Sequence, residues 1–152
     1  MHKPPFEAKS TSLRISRFGV PYFARIFVMA ANDFPDAFPQ FLPGNQFMRR
    51  MAGEYAEDGT PLYAASEGSP RGVPTGRVLV RFEEGIRFED RAASFAGAGF
   101  TIDDVLSYAP HAGWVRAASG SIADALRGVE DLAGLADVRH VEPQVLYRRT
   151  LK

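Results

Sequence analysis

Proline sets the first limit on this chain. Nine of its eleven prolines, and eight of its twelve phenylalanines, lie within residues 1–75. Proline removes a backbone donor and clashes with the preceding helical turn, so a segment this rich in it argues against a long helix or a central strand. Between residues 32 and 75 the aromatic positions are punctuated by Phe34-Pro35, Phe38-Pro39, Leu42-Pro43-Gly44, Gly59-Thr60-Pro61, Ser69-Pro70 and Val73-Pro74. Phe34, Phe38 and Phe41 have the spacing of a helix face, but Pro35 and Pro39 interrupt it. Upstream, Leu13 to Phe18 and Tyr22 to Met29 read as two strands around Gly19-Val20-Pro21. Glu67 to Gly72 reads as a linker or exposed loop. Residues 1–75 are therefore expected to form a Pro/Phe-rich extension, a small hairpin plus loops.

Regular signals begin at Gly76. Val78, Val80 and Phe82 alternate with Arg77, Leu79 and Arg81, the period of two expected of a half-buried strand. Glu83-Glu84-Gly85 turns the chain. Phe88 to Ala98 suits a short helix with Ala92, Phe95 and Ala96 on one side, ended by Gly97 and Gly99. Thr101 to Tyr108 and Trp114 to Ala118 read as strands around the turn Pro110-His111-Ala112-Gly113. Ser121 to Leu132 is the strongest helical pattern, with Ile122, Ala125, Leu126, Val129 and Leu132 in one apolar stripe. Ser121 is placed to cap it, and Asp124 three residues on is a weak form of the capping box. Val138 to Val145 is the last strand. The order is β-α-β-β-α-β, so the expected class is α+β, a ferredoxin-like βαββαβ domain over residues 76–152.

Charge and composition exclude several function classes. Eighteen Lys and Arg balance eighteen Asp and Glu, which removes the basic excess that nucleic-acid binding needs. The chain has no cysteine, so disulfides and thiolate metal sites are excluded. No apolar run approaches the roughly 20 residues of a membrane span. Phe18 to Ala31 is fairly apolar, but Pro21 and Arg25 break it, so it reads as a folded or interaction segment, with secretion alongside its protease as the alternative. The histidines His2, His111 and His140 have no spacing to a nucleophile or a metal set. Asp103-Asp104 is an acidic pair without metal spacing, and Asp58-Gly59-Thr60 before Pro61 is a turn. No phosphate-cradling glycine loop follows a strand. No catalytic residue, metal or cofactor is expected. Trp114 is read as sheet packing, with contact to a partner as its alternative.

Three short segments carry a resemblance: Gly76-Arg77-Val78-Leu79-Val80-Arg81-Phe82 with its turn at Gly85, Ala96-Gly97-Ala98-Gly99-Phe100, and Gly113-Trp114-Val115-Arg116-Ala117. With Leu135-Ala136-Asp137-Val138-Arg139-His140-Val141-Glu142-Pro143, they follow the order and spacing of the propeptide inhibitor domain of subtilisin-like serine proteases. The second half of the chain resembles that family, and residues 1–75 have no counterpart in it. The resemblance implies a four-stranded sheet that packs on two surface helices of the protease, with a tail running through the substrate cleft as an added strand. Glu142 would then meet the N-termini of those helices, worth about 0.3–1 kcal/mol. Gln144 stands where many relatives carry a second acid.

Two alignments of the tail stay open. Counting from the Val-Glu step puts Tyr147 in the deep apolar subsite and Thr150 in the primary pocket, with Leu151 and Lys152 beyond it. Counting from the end puts Lys152 in the primary pocket and Arg149 in the deep one, a poorer match for an apolar subsite. Arg148 lies between. Starting at Met1 and stopping after the tail fits a separate gene product, and hence a separately encoded protease met in the cytoplasm before export. The expected function is an inhibitor, and a folding chaperone, of a subtilisin-like protease. The alternative is a ferredoxin-like interaction or regulatory module with no protease partner.

Overall fold

The computed structural model describes residues 33–44 and 46–147. The strands expected at Leu13–Phe18 and Tyr22–Met29, His2, and the tail from Arg148 to Lys152 lie outside the described residues. The described chain runs β1 (Ala37–Pro39), β2 (Phe47–Tyr55), β3 (Pro61–Ala64), β4 (Gly72–Phe82), a 3-10 turn Phe88–Arg91, α1 (Ala92–Gly97), β5 (Phe100–Val105), β6 (Ala112–Ala117), α2 (Ile122–Arg127), α3 (Val129–Ala133) and β7 (Val138–Tyr147). All seven strands belong to one sheet of order β1-β2-β3-β4-β6-β5, with β7 paired to β4, and every pairing is antiparallel.

This sheet overturns the expected ferredoxin-like domain of four strands and two packing helices. The described part of the chain is mostly antiparallel sheet, curled into a half-barrel, with 18% helix. Two physical reasons stand out. First, β4 begins at Gly72 and is longer than the alternation at Arg77–Phe82 suggests. Its start pairs with β3 through Gly72 and Tyr63, so three strands from residues 37–64 join the same sheet. Second, the helices are short. The single helix expected over Ser121–Leu132 divides at Gly128 into α2 and α3. The ring of Phe100 occupies the space a side chain at Gly128 would need, with Cε1 only 2.6 Å from an added Cβ.

Proline does not keep β4 from the sheet interior. Pro74 pairs with Val145 on β7, and β4 takes up β6 only from Arg77 onward. Pro74 thus falls where β4 passes from β3 to β6, a gap that needs no donor from it. A bulge follows. Five residues of β4, Pro74 to Val78, oppose three of β7, Val145 to Pro143. Gly76 adopts φ +92° there, a conformation that other residues enter only at a cost. Bulges increase local twist, which helps the sheet curl.

The curl returns the β1 end of the sheet to β7. Leu42, just past β1, donates its N–H to the Val141 carbonyl at 2.9 Å and accepts from the Val141 N–H at 2.7 Å. Inside the curl, Phe38, Met48, Tyr63 and Leu126 form one buried cluster. Tyr63 meets Phe38 edge-on at 4.8 Å, and its hydroxyl donates to the Pro35 carbonyl at 2.6 Å. Burial pushes the Tyr63 phenol up to about 12. The larger core lies under α1, α2 and α3, where Phe82, Phe88 and Phe95 stack beside Val78, Val80, Val115 and Val141. The apolar stripe of α2 and α3 is core, as its spacing suggests. It is shared, with Ala125, Val129 and Leu132 in the larger cluster and Leu126 in the smaller one. Ser121 caps α2 by accepting from the Asp124 N–H at 3.1 Å. Asp124 does not reach back to it. The Ser119 hydroxyl, then Arg127, hold the Asp124 carboxyl below its usual range.

Candidate functional site: the open face of the sheet

Alternation along a strand sends successive side chains to opposite faces. On β4, Val78, Val80 and Phe82 enter the core, so Arg77, Leu79 and Arg81 lie on the other face. On β6, Val115 and Ala117 are buried while Trp114 and Arg116 face away. On β7, Val141 and Pro143 are buried, leaving His140, Glu142, Gln144 and Leu146 on the same open face. Leu79 stands at its centre, paired with Trp114 on one side and Glu142 on the other. Trp114 and Leu79 are half-buried, and the helices that build the core lie against the opposite face.

Charge frames this apolar centre. Between Ile102 and Asp104 the β5–β6 register shifts, and the extra residue is Asp103. Its carboxylate takes Arg77 Nε at 2.8 Å and Arg116 Nε at 3.2 Å. Arg77 also lies over the Trp114 ring, 4.7 Å from the centroid, a cation–π contact of about 0.5–1 kcal/mol at an exposed site. Asp104 instead accepts from the Val105 N–H at 2.9 Å. The acidic pair seen in the sequence therefore orders Arg77, Arg116 and a local turn. Among the described residues no cluster of three or more His, Asp or Glu is placed to hold a metal.

The β7 side of the face carries the residues singled out in the sequence. Glu142 Oε1 lies 3.2 Å from His140 Nε2, and the Phe41 ring stacks on His140 at 6.1 Å. Gln144 Oε1 accepts from the Thr75 hydroxyl at 2.7 Å, across from the bulge. Leu146 is 58% exposed. The structure brings Glu142 and Gln144 onto one face with Leu79 and Trp114. It does not bring Tyr147 there. Tyr147 pairs with Gly72, and its hydroxyl meets Gln40 Nε2 at 3.1 Å. Arg148, Arg149, Thr150, Leu151 and Lys152 lie outside the described residues.

No protein-family model, curated protein or solved structure matches this chain. The site must be judged on its own geometry. Sequence reasoning placed Trp114 in sheet packing, with contact to a partner as the alternative, and gave Leu79, Arg77 and Asp103 no binding role. The signal was available in the β4 alternation, because Leu79 is an apolar residue on the arginine-bearing side. Phe41 and Gln40 carried no such signal, since their contacts with β7 depend on the curl.

A cleft of about 450 Å³ at the mouth of the curl is lined by Gln40, Gln46, Met48, Ser69 and Tyr147, among others. Among the described residues its lining holds no histidine or carboxylate. Among the described residues no helix is long and apolar enough to cross a membrane.

Proposed function

We propose that this protein is an inhibitor of a subtilisin-like serine protease, docking through the open face of its sheet and leading the chain beyond Tyr147 into the substrate cleft. The observation that carries the reading is a sheet face that, among the described residues, no helix covers. It presents Leu79 and Trp114 as an apolar centre, with Glu142 beside them and charged groups around the rim. That is the anatomy of a docking surface, an apolar core with aromatic anchors and a polar rim. The resemblance of residues 76–152 to protease propeptides gives the partner its class. The reading rests on this face and the last strand, since the seven-stranded sheet replaces the fold that the resemblance implied.

In the complex, the face lies on two helices of the protease and Glu142 meets their N-terminal N–H groups. A carboxylate there gains about 0.3–1 kcal/mol, or up to ~2 when partly buried. The chain beyond β7 adds as a strand along the cleft, where backbone hydrogen bonds supply affinity. The inhibitor carries no catalytic group of its own, and it assists folding of its protease by the same contacts.

The test is inhibition of a panel of subtilisin-like proteases by the full chain and by a variant lacking residues 148–152. The full chain should inhibit at least one, and the deletion should lose that inhibition with its thermal unfolding unchanged. A full chain that inhibits no subtilase ends the proposal.

A further inference from the structure

Arg77 on β4 and Arg116 on β6 stand directly opposite each other on the open face. Like charges in that position repel. One carboxylate lies between them. Asp103 takes Arg77 Nε at 2.8 Å and lies 3.2 Å from Arg116 Nε, so it offsets one of the two positive charges and leaves the other. Asp104 opposes Trp114 and accepts from the Val105 N–H at 2.9 Å, pairing with neither arginine among the described residues. The contacts are also one-sided. Both arginines reach Asp103 through Nε, and among the described residues the Nη groups of both have no acceptor. Each guanidinium thus keeps most of its N–H donors unused. Gln144 adds a donor nearby. Its Oε1 is taken by the Thr75 hydroxyl at 2.7 Å, and Thr75 Oγ1 also accepts from the Arg77 backbone N–H at 3.2 Å. The Gln144 amide therefore has its N–H groups left to meet a ligand. The arrangement is held before any ligand arrives. Asp103 fixes both arginines, and the Trp114 ring backs Arg77 at 4.7 Å. Groups ordered in advance lose less freedom on binding.

Unused guanidinium forks, a surplus positive charge and a fixed position suit an incoming carboxylate, whose two oxygens match the fork. Resting on the inhibitor reading above, we infer that Arg77 and Arg116 together receive one acidic side chain of the protease. Its place on the partner follows from the sheet. Glu142 pairs with Leu79, two residues from Arg77 along β4. With strands about 4.8 Å and residues about 3.4 Å apart, the middle of the arginine pair lies roughly 10 Å from Glu142. That is about two turns of helix. Glu142 meets a helix N-terminus in this reading. A helix running from there across Leu79 toward the arginines carries the acid within its first two turns. The surface therefore fits subtilisin-like proteases whose docking helix, the one Glu142 meets, bears an Asp or Glu in that stretch.

Two measurements test this. The first uses the full chain alone. The side-chain nitrogen resonances of its arginines are followed as acetate replaces chloride at constant ionic strength. Arg77 and Arg116 should shift saturably, while Arg81, exposed on the same face, should not. No saturable shift at Arg77 and Arg116 overturns the receptor. The second compares inhibition constants against a subtilisin-like protease that the full chain inhibits. Arg116→Gln should weaken inhibition about tenfold and Arg116→Glu about a hundredfold, with thermal unfolding showing that both variants are folded. Each acidic residue in the first two turns of the docking helix is then changed to Lys in turn. One such change should weaken inhibition by the parent and restore inhibition by Arg116→Glu to within about tenfold of the original pair. Inhibition unchanged by Arg116→Gln, or no change on the protease that restores Arg116→Glu, overturns the inference. A parent that inhibits no subtilase sinks the inhibitor reading, and the acetate spectra still decide whether the two arginines take a carboxylate.

Discussion

Leu42 and Val141 exchange both of their backbone hydrogen bonds, at 2.9 and 2.7 Å, and this bridge ties the segment after β1 to the middle of the last strand. The bridge lies one residue from Glu142 and beside the Phe41–His140 stack. The N-terminal half thus shapes the β7 side of the open face. Leu42→Pro removes the donor to the Val141 carbonyl. The expected loss is about 1–3 kcal/mol, read as a lower urea midpoint at unchanged slope.

Gly113 should tolerate no side chain. A Cβ there would stand 2.5 Å from the Asp104 carbonyl oxygen and 2.7 Å from Phe88 Cε1. The first is backbone and the second a fully buried ring, so neither yields readily. Gly113→Ala should destabilise the protein by about 1–3 kcal/mol through overpacking, measurable by denaturant unfolding.

Tyr63 should make stability fall on the alkaline side. Its phenol is raised from 10.0 to about 12, chiefly by burial. A folded-state value above the unfolded one contributes stability that is whole below about pH 10 and is lost as pH rises toward 12. The phenolate absorbance of the full chain should therefore include a component ionising near 12 that is absent from Tyr63→Phe. That variant also leaves the Pro35 carbonyl without its donor, and should lose about 0.5–1.5 kcal/mol at neutral pH.

Trp114 is the only tryptophan in the chain, and it sits on the open face under Arg77. Arg77→Ala should remove the contact at a cost of about 0.5–1 kcal/mol and change the emission of the free protein. A bound partner covering this face should change it as well, and should protect Trp114 from an added quencher such as iodide.

The elements from Gly76 onward were legible because their apolar residues keep strict periods. The period of two in Val78, Val80 and Phe82 falls inside β4, and the stripe from Ile122 to Leu132 is buried. Three things were not legible. The break at Gly128 depends on the Phe100 ring, a contact distant in sequence. The strand β2 shows no alternation, since Met48 is its one buried residue and its register to β3 shifts between Arg50 and Tyr55. Pro74 reads as a breaker, yet it lies in β4 because only β7 bonds the sheet there. The fold was misjudged for the same reason, as the curl is built by pairings between the proline-rich half and β4 or β7. At the site, Glu142 and Gln144 were found from the sequence, whereas Leu79, Trp114 and Asp103 became a surface only once β5, β6 and β4 were placed side by side.

The most direct measurement of the central claim is the inhibition constant of Leu79→Asp against a subtilisin-like protease that the full chain inhibits. Leu79 is half-buried between Trp114 and Glu142 on the open face, so the change costs some stability through lost packing and the facing Glu142 carboxylate, and inhibition is compared at a temperature where both proteins are folded. A docking face centred there would bury the new carboxylate without a partner, at a cost of about 3 kcal/mol or more, which is over a hundredfold in affinity. An inhibition constant weakened by that order would support the open face as the protease-binding surface. A variant that inhibits as tightly as the parent would contradict it.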